Sequence, residues 1–268
     1  MEERFVTNKT MKPWPLGGNA KIGVILPSTN TGYYSYELRA ICPEGVVTLE
    51  TRVMGGKLTL ETLRRMRGEV VYAAKLLAVA APSVITFEAT AAGFILGVEG
   101  EKALIKEMQD ATGIRATTGS ESVTESLRFL GIKRMILYAA TPEEITVKSL
   151  QYFETLGLDV PVHESLGGQT GSEINAISPW DTYRHIMALC RKCPDADGIF
   201  VSGGLLRTLE MIEKLEGDSG LPVVSTAVAN IWHCLKLSGV NDLVHGFGHL
   251  LERERLPQPS VQTIKASK

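Results

Sequence analysis

No stretch of this chain of 268 residues approaches the roughly 20 consecutive apolar residues that a membrane span requires. Its first 15 residues also lack the apolar core of a secretory signal. A cytoplasmic location is therefore expected, with no membrane partner. Cysteine is scarce. Four in a chain of this length do not make the disulfide framework of a small secreted domain. Charge of either sign is nearly balanced, at a net −2, so no basic surplus exists to draw nucleic acid or an anionic surface. Metal ligands are thin as well. The pair Cys190 and Cys193 has His185 nearby in sequence and nothing to mark a fourth ligand, so no metal is expected. Nor is it a redox pair, which would open a helix after a strand, whereas this one closes a helix before a strand. The run Gly167-Gly168-Gln-Thr-Gly171 lacks the Lys-Ser/Thr of a phosphate loop and reads as a cleft-rim loop.

What is present is an ordinary soluble composition, 44% hydrophobic and 22% charged, in a chain long enough for one large or two modest α/β domains. Residues 1–20 carry Pro13, Pro15, Gly17 and Gly18 without periodicity and read as an arm that could cover a neighbour, which leaves a homo-oligomer open. Strands are expected at 21–26, 46–53, 84–87, 133–138 and ending at Thr117-Thr118. Helices are expected at 36–41, 60–80, 102–109 and 123–130. The longest has Leu63, Met66, Val70, Ala73, Ala74 and Leu77 at helical spacing. Gly113 and Gly131 mark two helix ends. Strands alternating with helices argue for α/β architecture with parallel sheets.

The centre of this pattern is Val84-Ile-Thr-Phe87 running into the small and polar residues from Glu88 to Gly93. In a parallel sheet this is a strand's carboxyl end meeting a helix, where such folds bind ligands. Free backbone N–H groups at a helix start suit a carboxylate or phosphate. Asp197 to Arg207 repeats the pattern of buried strand, small residues and helix. Two further echoes keep the same order. Residues 21–29 resemble 133–141, and Thr117-Thr118 followed by 126–132 resembles Ser225-Thr226 followed by 234–240. Three ordered echoes indicate an internal duplication. The expected result is two pseudo-symmetric lobes, each with a four-stranded parallel sheet flanked by helices. Lobe 1 would hold 1–117 and 227–268, and lobe 2 would hold 118–226. Their loops would face a shared cleft, a preferred place for a ligand.

Several motifs then carry a resemblance: Ile22-Gly-Val-Ile-Leu-Pro-Ser-Thr-Asn-Thr31, Ala111-Thr-Gly-Ile-Arg-Ala-Thr-Thr118, Leu206-Arg-Thr-Leu209, Pro222-Val-Val-Ser225, Ile231-Trp-His-Cys-Leu-Lys-Leu-Ser-Gly239 and Gly246-Phe-Gly-His-Leu250. Together they resemble the maleate isomerase and arylmalonate decarboxylase branch of the aspartate/glutamate racemase superfamily. The resemblance implies cofactor-independent chemistry on a small carboxylic acid, with Asn30 and Thr90 as carboxylate binders. Ala89, Ala91, Thr117, Thr118, Thr141, Ser202, Gly203 and Gly204 would line the cleft. It also exposes a departure. The family's one or two acting cysteines fall at Ala89 and Gly203, and a tyrosine often found in lobe 2 falls at Thr141. Alanine and glycine supply neither a nucleophile nor a titratable proton.

The proton-handling groups left near these loops are Glu88, Tyr33, Tyr34 and Ser202, and Glu88, Tyr33 and Ser202 are the catalytic candidates. Against Glu88 stands strand alternation, which sends neighbouring side chains to opposite faces; its other reading is a contact behind the loop. His233 reads as structural. The leading expectation is a lyase, decarboxylase-like or cleaving C–C or C–O bonds, that works without the family's cysteines. The alternatives are a cis-trans isomerase or hydrolase-type enzyme with a re-sited acid/base, and a non-catalytic carboxylate-binding protein.

Overall fold

The computed structural model describes residues 18–253. The arm expected over residues 1–20 lies outside that range except for its last three positions. Two four-stranded parallel sheets form the frame. In the first, β1 (Ala20–Pro27), β2 (Val46–Val53), β3 (Val84–Phe87) and β4 (Ala116–Thr118) lie in the order β2-β1-β3-β4. In the second, β5 (Arg134–Ala139), β6 (Asp159–Ser165), β7 (Gly198–Ser202) and β8 (Val223–Ser225) lie in the order β6-β5-β7-β8. One strand order used twice is what a duplicated sequence pattern requires. The two-lobed α/β class follows directly.

Strand register sharpens the repeat. Phe87 pairs with Thr118 in the first sheet, and Val201 pairs with Ser225 in the second. Glu88 therefore corresponds to Ser202, and Ala89 to Gly203. Thr118, not Thr117, is the counterpart of Ser225. The sequence echo is off by one there because α9 (Thr226–Ser238) has 13 residues and α4 (Gly119–Leu130) has 12.

Local chemistry accounts for the helices. In α2 (Leu60–Ala78) the apolar residues expected at helical spacing are all buried, and the Thr59 side chain accepts the Thr62 N–H as a cap. The helix α1 (Tyr33–Ile41) starts three residues before the expected one. The next, α3 (Thr90–Thr112), runs far beyond the expected 102–109, because its first turns are built from Ala and Gly and carry no apolar period. It is broken at Gly97, whose φ of 69° and ψ of 171° are non-helical. The second lobe adds α5 (Glu143–Thr155), α6 (Gly171–Asn175), α7 (Pro179–Lys192) and α8 (Ile212–Ser219), and α10 (His249–Glu252) ends the described chain. None of these helices is long and apolar enough to cross a membrane.

Two helices are exchanged between the sheets. Although α9 follows β8, it lies against β1 and β3; α4 follows β4 but packs against β8. Val228, Ile231 and Trp232 of α9 share a core with Ile22 and Val24, while Val123 and Leu127 of α4 join Met135, Leu137, Phe200 and Val224. Each large side chain buried this way contributes roughly 1.5–3 kcal/mol. The cleft is thus framed by elements that belong to both halves of the chain.

Candidate active site

All four residues of β3 are buried. The strand ends at Phe87, although the Glu88 N–H still donates to the Ile25 carbonyl at 2.8 Å. Ala89, with φ −132° and ψ 71°, then turns the chain into α3. Alternation stops at that turn, so Glu88 and Ala89 both line one cavity rather than opposite faces. The cavity has a volume of about 110 Å³ and lies between the lobes. That is less than the roughly 150 Å³ of an engineered cavity that binds benzene, which sizes a ligand to a small molecule.

Lobe 1 contributes Asn30, Tyr34, Glu88, Ala89, Thr90 and Ala91; lobe 2 contributes Thr141, Ser202, Gly203, Gly204, Leu205 and Thr226. Leu58, Leu63, Met66 and Ile174 form an apolar side. The Leu58 N–H donates to the Gln169 carbonyl at 2.9 Å, joining a loop of each lobe across the mouth.

Two expected cleft residues lie elsewhere. Thr117 donates its hydroxyl to Glu121 Oε2 at 2.6 Å and sits 3.1 Å from His233 Nδ1. Thr118 caps α4 by accepting the Glu121 N–H and donates its hydroxyl to Glu101. Their strand is at the edge of the first sheet, and its carboxyl end is committed to capping a helix. The Tyr33 side chain, a catalytic candidate, lies outside the described residues; Tyr34 is on the cavity wall.

Glu88 is the chemical centre of the wall. Its Oε2 accepts the Tyr34 hydroxyl, and its Oε1 accepts the Thr86 hydroxyl at 2.6 Å. Thr86 in turn accepts Asn230 Nδ2 from α9 at 2.8 Å. Burial raises Glu88 to about 7, against the opposing pull of hydrogen bonds from Thr86, Tyr34 and Asn230. Burial also drives the Tyr34 phenol well above its ordinary value, and Glu88 adds to the effect.

Around this acid stand polar groups without an intramolecular partner. Thr90 Oγ1 is buried without a hydrogen-bond partner. The Thr90 and Ala91 N–H groups fall in the first turn of α3, where no intrahelical acceptor exists. Asn30 Oδ1 accepts the Gly32 N–H at 2.9 Å, which leaves the Asn30 amide NH₂ as the donor for a ligand. Outside the turn, Arg52 Nη1 holds the Asn30 carbonyl at 3.0 Å.

The lobe 2 loop is different in kind. Gly203 has a φ of 136°, a region that favours glycine, and a Cβ there would stand 2.8 Å from Ala140 Cβ. Its N–H donates to Thr226 Oγ1 at 3.2 Å. Farther along, Glu37 of α1 accepts the Thr208 N–H at 3.0 Å, the Thr208 hydroxyl at 3.2 Å and the Leu209 N–H at 3.3 Å, all on Oε1. Its Oε2 is buried without a partner. Burial raises Glu37 to about 7 against those three donors.

Cys42, Cys193 and Cys234 are buried, Cys190 is partly exposed, and none of the four lines the cavity. Among the described residues, no group of three or more His, Cys, Asp or Glu side chains could hold a metal ion. His233 is buried between Thr117 and Ser122, and burial lowers it to about 4. Sequence reasoning missed Gly55, Gly56 and Thr226 on the wall. The first two follow β2 at a strand's carboxyl end, the same signal that marked Glu88.

A sequence model of the arylmalonate decarboxylase family matches residues 22–251. Arylmalonate decarboxylase from Bordetella bronchiseptica is 32% identical over 202 residues, covering 74% of this chain and 82% of that protein. Maleate isomerase from Geobacillus stearothermophilus is 24% identical over 244 residues, covering 86% and 96%. The structure of a cysteine-to-alanine variant of maleate isomerase Iso from Pseudomonas putida S16 with maleate superposes with a TM-score of 0.83 at 23% identity, covering 87% of this chain and 97% of that one. A liganded variant of arylmalonate decarboxylase gives 0.81 at 26% identity, covering 87% and 99%. The chain belongs to the arylmalonate decarboxylase family, in the branch shared with the maleate isomerases. These named relatives are enzymes, a decarboxylase and isomerases.

Proposed function

We propose that the chain is a cofactor-independent lyase that decarboxylates a small activated dicarboxylic acid, with Glu88 as the proton donor. The observation that carries this reading is the buried Glu88–Tyr34 pair on the wall of a cavity that contains no thiol. One carboxylate of the substrate binds the Thr90 and Ala91 N–H groups, the Thr90 hydroxyl and the Asn30 amide. The other faces the apolar side formed by Leu58, Leu63, Met66 and Ile174, where loss of hydration favours its departure. The bond from the α-carbon to that carboxylate breaks and carbon dioxide leaves. The electron pair passes into the retained carboxylate as an enediolate, which the N–H donors stabilise. The α-carbon then takes the proton of Glu88, and the Glu88 carboxylate regains one from water. A carboxyl group near 7 suits that donation at neutral pH.

The isomerase reading is weaker for a chemical reason. The maleate isomerase of Nocardia farcinica has been captured with a covalently bound succinylcysteine intermediate. Here Ala89 and Gly203 stand at the resembling positions, and no cysteine reaches the cavity. The test is carbon dioxide release from aryl- and alkylmalonates, with maleate and hydroxy acids as controls, using the parent and a variant with all four cysteines replaced. Carbon dioxide release by both supports the proposal. Conversion of maleate without carbon dioxide release, or inactivation by a thiol reagent that substrate prevents, overturns it.

A further inference from the structure

The cavity presents an electrostatic problem for an anion. Among the described residues, its lining contains no Lys, Arg or His. The ionisable side chains on the wall are Glu88 and Tyr34. The groups behind them are also without positive charge: Thr86 on the strand, Asn230 and Cys234 on α9, and Glu37 one turn further along α1. Of the arginines near it in the chain, Arg52 bonds the Asn30 carbonyl and Arg65 bonds the Gly55 carbonyl at 3.4 Å, while Arg207, two residues past Leu205, has its Nε buried without a partner and is not on the lining. A ligand carboxylate seated at Thr90 and Asn30 would thus share a cavity of about 110 Å³ with a second carboxylate, and no cation on the described lining would separate them. Two carboxylates in one such site do not both stay ionised.

We infer that the cavity holds its carboxylate ligand only with a hydrogen ion on the Glu88–Tyr34 pair, so that wherever the free pair is ionised one hydrogen ion is taken up per anion bound. The geometry provides a place for it. A protonated Glu88 Oε2 donates to Tyr34 Oη, and the phenol hydrogen is then released toward the cavity as one more donor for the anion. The balance is simple: ionised protein, anion and one proton combine into a complex whose charge equals that of the free protein. The inference rests on the proposed carboxylate site but not on its decarboxylase chemistry. Binding is strongest in acid and weakens as pH rises past about 7, where burial has placed the free Glu88.

The experiment is calorimetric titration of the protein with phenylacetate, an acid fully ionised across the range, from about pH 6 to pH 9. It is repeated in buffers of different ionisation heat. Affinity should be nearly flat below about pH 6.5 and fall about tenfold per pH unit above about pH 7.5, with proton uptake approaching one per anion at the alkaline end. Glu88→Gln should bind with an affinity independent of pH and with no proton uptake. Should that variant fail to fold, the parent's pH series and buffer comparison decide alone. Binding by the parent with flat affinity and no proton exchange overturns the inference while leaving the carboxylate site standing. Absence of binding to phenylacetate, phenylmalonate and the smaller acetate and malonate at any pH overturns the carboxylate site and the inference with it.

Discussion

The two lobes place corresponding residues at the cavity and give them unlike tasks. After β3 come Glu88 and Ala89, and α3 begins at once. In lobe 2, β7 ends on Ser202, Gly203 follows, and eight more residues pass before α8 starts at Ile212. Lobe 1 therefore brings a titratable carboxyl, its tyrosine partner and a helix N-terminus. Lobe 2 brings hydroxyls and glycine backbone. Ala89 has an ordinary φ of −132°, whereas Gly203 sits at 136° against Ala140. A duplicated fold has become chemically one-sided, and the backbone of the silent side has adjusted to its glycine.

The sharpest way to break this contrast is at its matched pair. Glu88→Gln should lower turnover by about 10²–10⁴, because a positioned acid–base group is lost while shape is kept. Ser202→Ala should cost only a few-fold. Equal losses in steady-state kinetics would show the lobes to be chemically equivalent.

A second test concerns the tie between the lobes. Glu37 and Glu88 are both raised to about 7, above their range in the unfolded chain. The folded protein thus binds more protons between about pH 4.5 and pH 7, and stability falls as pH rises through that window. For one buried carboxyl the loss is on the order of 3 kcal/mol. Melting temperatures should drop from pH 5 to pH 8, and Glu37→Gln should flatten that drop. An unchanged slope would mean that Glu37 is not the group responsible.

Asn30→Ala probes the anion grip of lobe 1. Losing a hydrogen bond to a charged group typically costs about 1.5–3 kcal/mol, so carboxylate affinity should fall roughly 10- to 150-fold with the fold intact. Retained affinity in a titration would remove Asn30 from the site. The smallest effect compares restored thiols. Gly203→Cys should lose about 1–3 kcal/mol in denaturant melts, from its positive φ and the clash at Ala140, while Ala89→Cys should lose less. Equal costs would show that the lobe 2 loop has not diverged in conformation.

The frame was legible because two periodicities and one topological rule sufficed. The apolar stripe of α2, the repeated strand pattern and the small residues after β3 and β7 led to the fold and to the loops that hold Glu88, Ala89, Thr90, Ala91, Ser202, Gly203 and Gly204. Thr141, and the binding roles of Asn30 and Thr90, came from the family resemblance. Thr117 and Thr118 misled because a threonine at a strand end can face a cleft or cap the next helix, and only the edge position of β4 decides. Tyr34 was not singled out because the start of α1 decides which side chains reach the wall, and no side-chain cap marks that start. Whether Glu88 faces the cavity depended on where β3 ends, a difference of one residue. The Glu37 contacts join positions more than 170 apart in the chain, a distance at which local patterns carry no signal.

The exchanged helices carry a mechanical consequence. Since α4 and α9 each leave one sheet and rest on the other, the polypeptide crosses the cleft twice, and each lobe is completed by a segment of the other. A cut within either half leaves a sheet with an uncovered apolar face. The two halves are expected to melt in a single cooperative transition, and limited proteolysis should not release a stable lobe. Any separation of the lobes at the Leu58–Gln169 hydrogen bond must then be accommodated by the two crossing segments, which tie one sheet to the other.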